Sequence, residues 1–219
     1  MTSRIAIHEF GAAARSLQSR GIGAFRLEKK ALAALAAAAR TDWTPTGIGR
    51  GYYLDVMERL VRGALPWVTP DGRVLDPVVN RETGQVSPRF ASSAAILLHF
   101  GRAPEVREAA FRSMTYCCRA LATGEAKSQS PDFWTREIVT AYEVLRGVAE
   151  ASRRTAWAKD LSSFEPERVY SAVRPAGRRI ASLGNWAVYS SAGEAMREAA
   201  GLRPGRALLW GHRFLEKYV

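Results

Sequence analysis

The chain has 219 residues, 47% of them hydrophobic, enough to bury a core near the upper end of what one domain usually holds. Its formal charge of +11 favours an anionic partner, but the 32 basic residues are 27 Arg and 5 Lys scattered among acids through nearly every segment, so the one-sided basic face of a nucleic-acid-binding protein is not expected. No run approaches the roughly 18 apolar residues of a membrane span and the first twenty residues lack the apolar stretch of a secretion signal, so the expected setting is cytoplasmic, with no membrane partner.

Apolar residues recur at helical spacing along the chain, and two-residue alternation is almost absent. The spacing predicts helices over about 3–17, 25–39, 52–64, 88–100, 105–122, 131–149, 153–163, 166–173, 186–200 and 206–219, separated by Gly, Pro and Ser-rich breaks. Helices joined by alternating short and longer connections suggest antiparallel hairpins within a single helical domain spanning 1–219. One connection stands out. Residues 65–88, LPWVTPDGRVLDPVVNRETGQVSP, carry a TPDG turn signal, yet Trp67, Val74, Leu75, Val78 and Val79 make the segment too apolar for disorder. An ordered loop over one end of the helices is expected. Cys117 and Cys118 are adjacent in a helical pattern, where a disulfide between them would be strained, so both are expected as reduced, buried thiols. The final segment, ALLWGHRFLEKYV, reads as cut in mid-element, which suggests the N-terminal part of a larger protein and, with an open flank, self-association.

The segment SPDFWTREIVTAYEVL, 130–145, opens a helix in which Ser130 is expected as N-cap, Pro131 as the first helical residue and Asp132 as a partner of the dipole. Trp134, Ile138, Ala141, Leu145 and Val148 share one stripe and form the core-facing seam. Phe133, Glu137, Thr140 and Val144 flank it, and Arg136 lies nearly opposite. Glu137, near the helix N-terminus, is either a carboxylate paired with an Arg or part of a site.

A second segment, LGNWAVYSSAGEAM, 183–196, begins at a natural cap, Asn185. Trp186, Tyr189 and Gly193 fall on one side, with Val188, Ala192, Ala195 and Ala199 on the other. The small residues are expected to face a neighbouring helix. That leaves Trp186 and Tyr189 to line a second surface or to pack against an outer helix.

Together with DGRVLDPVVNRETGQVSPRFASSAAILL at 71–98, these segments resemble the incomplete α/α toroid of carbohydrate-active proteins, nearest to polysaccharide lyases of the heparinase and rhamnosyl-glucuronate lyase type, over about residues 50–200. The resemblance implies an all-α arc of helical hairpins and an acidic oligo- or polysaccharide as partner. In such lyases a uronate carboxylate is neutralised and a Tyr or His removes the C5 proton. Carried onto this sequence, it implies Tyr189 as the proton-transfer residue with His99 behind it and Asn185 beside the carboxylate. Arg89, Arg136 and Glu137 would bind substrate, and Trp134 and Trp186 would stack on sugar rings.

Two other readings stay open. A glycoside hydrolase on the same scaffold would use two carboxylates, such as Asp76 and Glu137, and a basic helical protein could bind without catalysis. No cofactor is expected. His8, His99 and His212 are far apart with no metal-ligand spacing, and GIGRG at 47–51 lacks the Lys of a phosphate loop.

Overall fold

The computed structural model describes residues 47–171 and 185–203, and the helices expected at 3–17, 25–39 and 206–219 lie outside them. The chain divides into two compact units, 1–49 and 50–219. Within the second, the long helices are α1 Arg50–Ala64, α2 Val86–His99, α3 Arg107–Thr123, α4 Trp134–Leu145, α5 Ala151–Ser163 and α6 Asn185–Ala199. Short 3-10 turns cover Leu65–Trp67, Pro104–Val106, Glu125–Gln129 and Pro131–Phe133, and Pro166–Val169 makes a single helical turn. Among the described residues there is no strand beyond two isolated bridges, so the all-α reading holds. None of their helices is long and apolar enough to cross a membrane.

Helix α2 packs against α1, α3 and α4; α4 packs against α6, and α3 against α5. Small side chains make this possible. Ala91, Ala94 and Ala95 of α2 and Ala109, Ala110 and Ala120 of α3 are buried, and residues this small let helix axes approach while Leu97, Met114 and Leu121 fill the gaps. Cys117 and Cys118 belong to the same core, unbridged, and burial pushes both thiols far above their ordinary range. The seam of α4 is as expected, with Trp134, Ile138, Ala141 and Leu145 all fully buried. Val148 departs from it. The helix ends at Leu145, so the 3.6-residue register is lost and Val148 is 52% exposed.

The 65–85 connection is ordered through its own hydrogen bonds and two docking points. The TPDG turn closes with Gly72 N donating to Thr69 O (3.0 Å) and Thr69 N donating to Arg73 O (2.8 Å). Val74 N then donates to the Ser87 hydroxyl (2.9 Å), and the buried Ser113 hydroxyl of α3 donates to Gly72 O (2.7 Å). A second turn forms where Asp76 Oδ1 accepts the backbone N–H groups of Val78 (2.8 Å) and Val79 (3.2 Å).

Gly72 is required twice over. Its φ is +95°, and a Cβ there would lie 2.2 Å from the backbone oxygen of Arg112. Gly72→Ala is therefore expected to lower stability by about 3 kcal/mol, since both the backbone strain and the clash must be absorbed. Urea denaturation followed by circular dichroism checks this, and an unchanged midpoint would mean that the turn does not dock on α3.

Candidate functional site

The entry to α4 is built differently from a simple cap. Ser130 is left-handed (φ 57°) with no side-chain capping bond, and Pro131–Phe133 form a 3-10 turn before the α-helix begins at Trp134. Asp132 is the acidic residue of this first turn, as expected, but it does not reach solvent. It is fully buried, accepting from the Ser190 hydroxyl at Oδ1 (2.8 Å) and from Ser171 N at Oδ2 (2.8 Å). A carboxylate that satisfies one buried and one half-buried donor contributes more there than at a solvated helix end. Trp134 is likewise committed to structure: wholly buried, its indole N–H lies 3.0 Å from both Gly84 O and Gln129 O. The expected stacking of Trp134 on a sugar is therefore corrected, because its ring has no exposed face.

The next turn of α4 presents a half-exposed shelf. Arg136 donates to Glu137 Oε1 (2.6 Å), and the other Glu137 oxygen accepts from the Ser92 hydroxyl of α2 (2.8 Å). The hydrogen bond it donates to Glu137 keeps the guanidinium above its already high ordinary pKa, and the group lies 4.6 Å from the centre of the Tyr189 ring. Tyr189 in turn packs on Phe133 (centroids 4.7 Å apart), and Phe133 packs edge-to-face on Trp186 (5.3 Å). The Arg136 side chain retains 43% of its exposure, and Trp186 and Tyr189 are partly exposed. Arg89, one turn before Ser92 on α2, is exposed and makes no ion pair among the described residues. Four of the expected site residues, Arg136, Glu137, Trp186 and Tyr189, thus meet, directly or through Phe133, and Arg89 lies one turn along α2 from the Ser92 that bonds Glu137.

Helix α6 reaches this place by the face opposite to the one expected. Val188, Ala195 and Ala199 are exposed, whereas Ser190, Gly193, Glu194 and Arg197 are buried. A Cβ on Gly193 would lie 2.8 Å from Cβ of Thr135, so the missing side chain, more than the row of alanines, sets the approach of α6 to α4. The seam closes with a buried polar network. Tyr170 donates to Glu194 Oε1 (2.8 Å), which leaves its oxygen to accept from Thr135 (2.6 Å). Arg197 donates to the same carboxylate (2.7 Å), and its guanidinium stacks 3.6 Å from the Phe164 ring centre. Burial pushes the Tyr170 phenol far above its ordinary range, so it stays a donor.

His99 and Asp76 are not brought to the shelf. His99 ends α2, exposed and edge-to-face with Phe100 (5.1 Å), two turns beyond Ser92. The Asp76 carboxylate closes its own turn. Asn185 is the exposed first residue of α6, one turn before Tyr189. No group of three or more His, Cys, Asp or Glu side chains among the described residues is placed to hold a metal ion.

Two depressions are lined by residues that no sequence motif singles out. A shallow one of about 490 Å³ lies between α4 and α5, lined by Tyr142, Arg146, Arg154 and Thr155. The other, of about 230 Å³, lies between the 65–85 connection and the Glu125–Gln129 turn and is walled by Arg73, Arg81, Glu82, Tyr116, Glu125, Ser128 and Gln129. Tyr116 donates a 2.5 Å hydrogen bond to Glu82 Oε2. Burial pushes the Glu82 carboxyl up from its usual 4.5, against the lowering effect of the Ser87 and Tyr116 hydroxyls. Burial, with that hydrogen bond, also drives the phenol far upward. These residues could not have been found by motif, because the loop's turns bring them together.

No protein-family model matches the chain, and comparison with curated proteins and with solved structures finds no match either.

A carboxyl whose folded pKa is raised contributes most to stability below its unfolded pKa and loses that contribution as pH rises through the folded value. Glu82→Gln removes the ionisation and keeps an acceptor for Tyr116. The variant should therefore gain on the wild type as pH climbs from 4.5 towards neutrality. Melting temperatures of both proteins across that range provide the check, and a parallel pair of curves would contradict the buried-carboxyl account.

Proposed function

We propose that this chain binds an acidic oligo- or polysaccharide along the shelf of Arg89, Arg136, Tyr189 and Trp186. The observation that carries the reading is the Arg136 guanidinium, fixed between Glu137 and the Tyr189 ring yet still partly open to solvent. A cation fixed beside partly exposed aromatic rings suits a uronate: the charge meets the carboxylate while a ring edge or face covers the apolar side of the sugar. The neighbouring Arg89 supports an extended ligand, since a repeating acidic chain offers a second carboxylate to a second cation.

The packing order of the helices supports a further step. Neighbouring contacts of α2 with α4 and α4 with α6, and of α3 with α5, suit the two layers of an α/α toroid arc, the arrangement implied by the likeness to heparinase-type lyases. On that reading Arg136 neutralises the uronate carboxylate. The Tyr189 hydroxyl oxygen takes the C5 proton while the C4–O glycosidic bond breaks and the hydroxyl's own proton passes to the departing sugar oxygen, so the side chain ends as it began. The products are a C4=C5 unsaturated uronate and a new sugar hydroxyl.

Calorimetric titration with a uronate oligosaccharide separates binding from catalysis. Arg136→Ala should raise Kd about tenfold, equivalent to roughly 1.4 kcal/mol, a modest loss because the side chain is partly solvated and shared with Glu137. Tyr189→Phe should leave Kd within about threefold and abolish the ultraviolet-absorbing unsaturated product. No binding by the wild type would end the saccharide reading. Full turnover by Tyr189→Phe would end only the lyase step.

A further inference from the structure

We propose that the cleft between the 65–85 connection and the Glu125–Gln129 turn is a second binding site, taking a single uronic acid residue through its carboxylate and ring hydroxyls. The choice of a uronate among hydroxy acids rests on the function proposed above; the cleft's demand for a small hydroxylated anion does not. Its volume of about 230 Å³ falls below the roughly 300–1,000 Å³ of pockets that enclose drug-sized molecules, so it suits a ligand of one ring.

The hydrogen-bonding inventory of the walls sets the chemistry. Arg73 is held by Asp71, with Nε donating to Oδ2 (2.9 Å) and a terminal nitrogen 2.8 Å from the same oxygen. Arg81 differs. It is exposed and makes no ion pair among the described residues, while the antiparallel bridge to Asp76, with Asp76 N donating to Arg81 O (2.9 Å), fixes its backbone at the rim. A guanidinium so placed offers a two-pronged contact to a carboxylate. The remaining walls suit hydroxyls. Gln129 spends its carbonyl oxygen on Gly84 N (2.9 Å), leaving its two amide protons to donate. Tyr116 spends its proton on Glu82, leaving the phenol oxygen to accept. Exposed Glu125 and Ser128 add an acceptor and a hydroxyl at the mouth. The walls carry two cations and two acidic groups, with Asp71 occupying Arg73, so recognition depends on placing the carboxylate at Arg81 and hydroxyls at the other walls.

The Trp134 indole reports on this cleft, because it donates to the backbone oxygens of Gly84 and Gln129, residues that the ligand would touch or displace. Titration of the full chain with glucuronate, followed by the nitrogen–proton NMR signals, should shift the Trp134 indole in a saturable way, and glucose should not. Arg81→Ala, at an exposed position, should raise the glucuronate Kd at least tenfold while the spectrum stays folded. Arg136→Ala should leave the glucuronate shift intact, so failure of the shelf and failure of the cleft are read separately. A uronate tetrasaccharide that shifts the same signal would mean that the cleft takes a chain end, and a shift with the monosaccharide alone would mean that it takes free sugar acid. No saturable shift with either, an equal response to glucose, or a shift that survives Arg81→Ala would overturn the proposal.

Discussion

The closeness of α6 to α4 at Gly193 is the constraint on which the shelf depends. Tyr189 lies one turn and Trp186 two turns before Gly193 on the same face, so whatever sets the helix separation at Thr135 also sets where the two aromatic rings lie against Phe133 and Arg136. A side chain at 193 would force the helices apart, because its first atom would already collide with Thr135. The polar groups at the same seam then become an asset. Asp132 with Ser190, and Thr135 with Glu194 through Tyr170, are buried hydrogen bonds across the seam that a change of register would break, although Glu194 Oε2 and Arg197 Nε find no hydrogen-bond partner among the described residues. A sliding of one turn would strand a buried carboxylate, at a cost of several kcal/mol. Packing brings the helices together and the network fixes their register.

The arginine content takes on a different meaning in three dimensions. Arg62 and Arg102 tie α1 to the turn after α2 through Glu58, Glu105 and Asp55; Arg153 pairs with Glu108 across α5 and α3; Arg203 holds Glu165 with two bonds. Several guanidinium groups also lie over aromatic rings, among them Arg50 on Phe100 and Arg153 on Phe111. The planar fork and weak hydration of Arg suit both roles better than the ammonium of Lys. A few of the arginines thus join one element to the next among the described residues, in keeping with the scattered distribution along the sequence, while the excess of +11 is carried by basic residues beyond the number of acids. The exposed Arg89 lies one turn before Ser92 on α2, and the exposed Arg81 lies at the cleft.

How far the sequence could be read depended on whether the signal was local. The apolar seam of α4, the buried cysteines and the ordered TPDG loop follow from spacing and turn chemistry within a few residues, and they are found as expected. The errors lie where a distant partner outweighed a local preference. Ser130 has the right chemistry for a helix cap but makes no side-chain capping bond, and the partners of the Asp132 carboxylate lie 39 and 58 residues away, beyond any local reading. The alanine face of α6 reads as the packing side by size, but Gly193 allows an even closer approach on the other side, where the polar network has its partners. Of the expected site, Trp186 and Tyr189 were legible because helical phase places them on one face of α6, and Arg136 and Glu137 because they are chain neighbours near the start of α4. His99 was not separable from it, since a sequence gives the face of a helix but not the height at which its neighbour crosses.

The measurement that bears most directly on the shelf is the map of contacts between a bound uronate oligosaccharide and the aromatic rings, obtained from intermolecular nuclear Overhauser effects. The account predicts cross-peaks from sugar ring protons to the side chains of both Tyr189 and Trp186. Cross-peaks confined to Tyr142 in the depression between α4 and α5, with none to Tyr189 or Trp186, would contradict it.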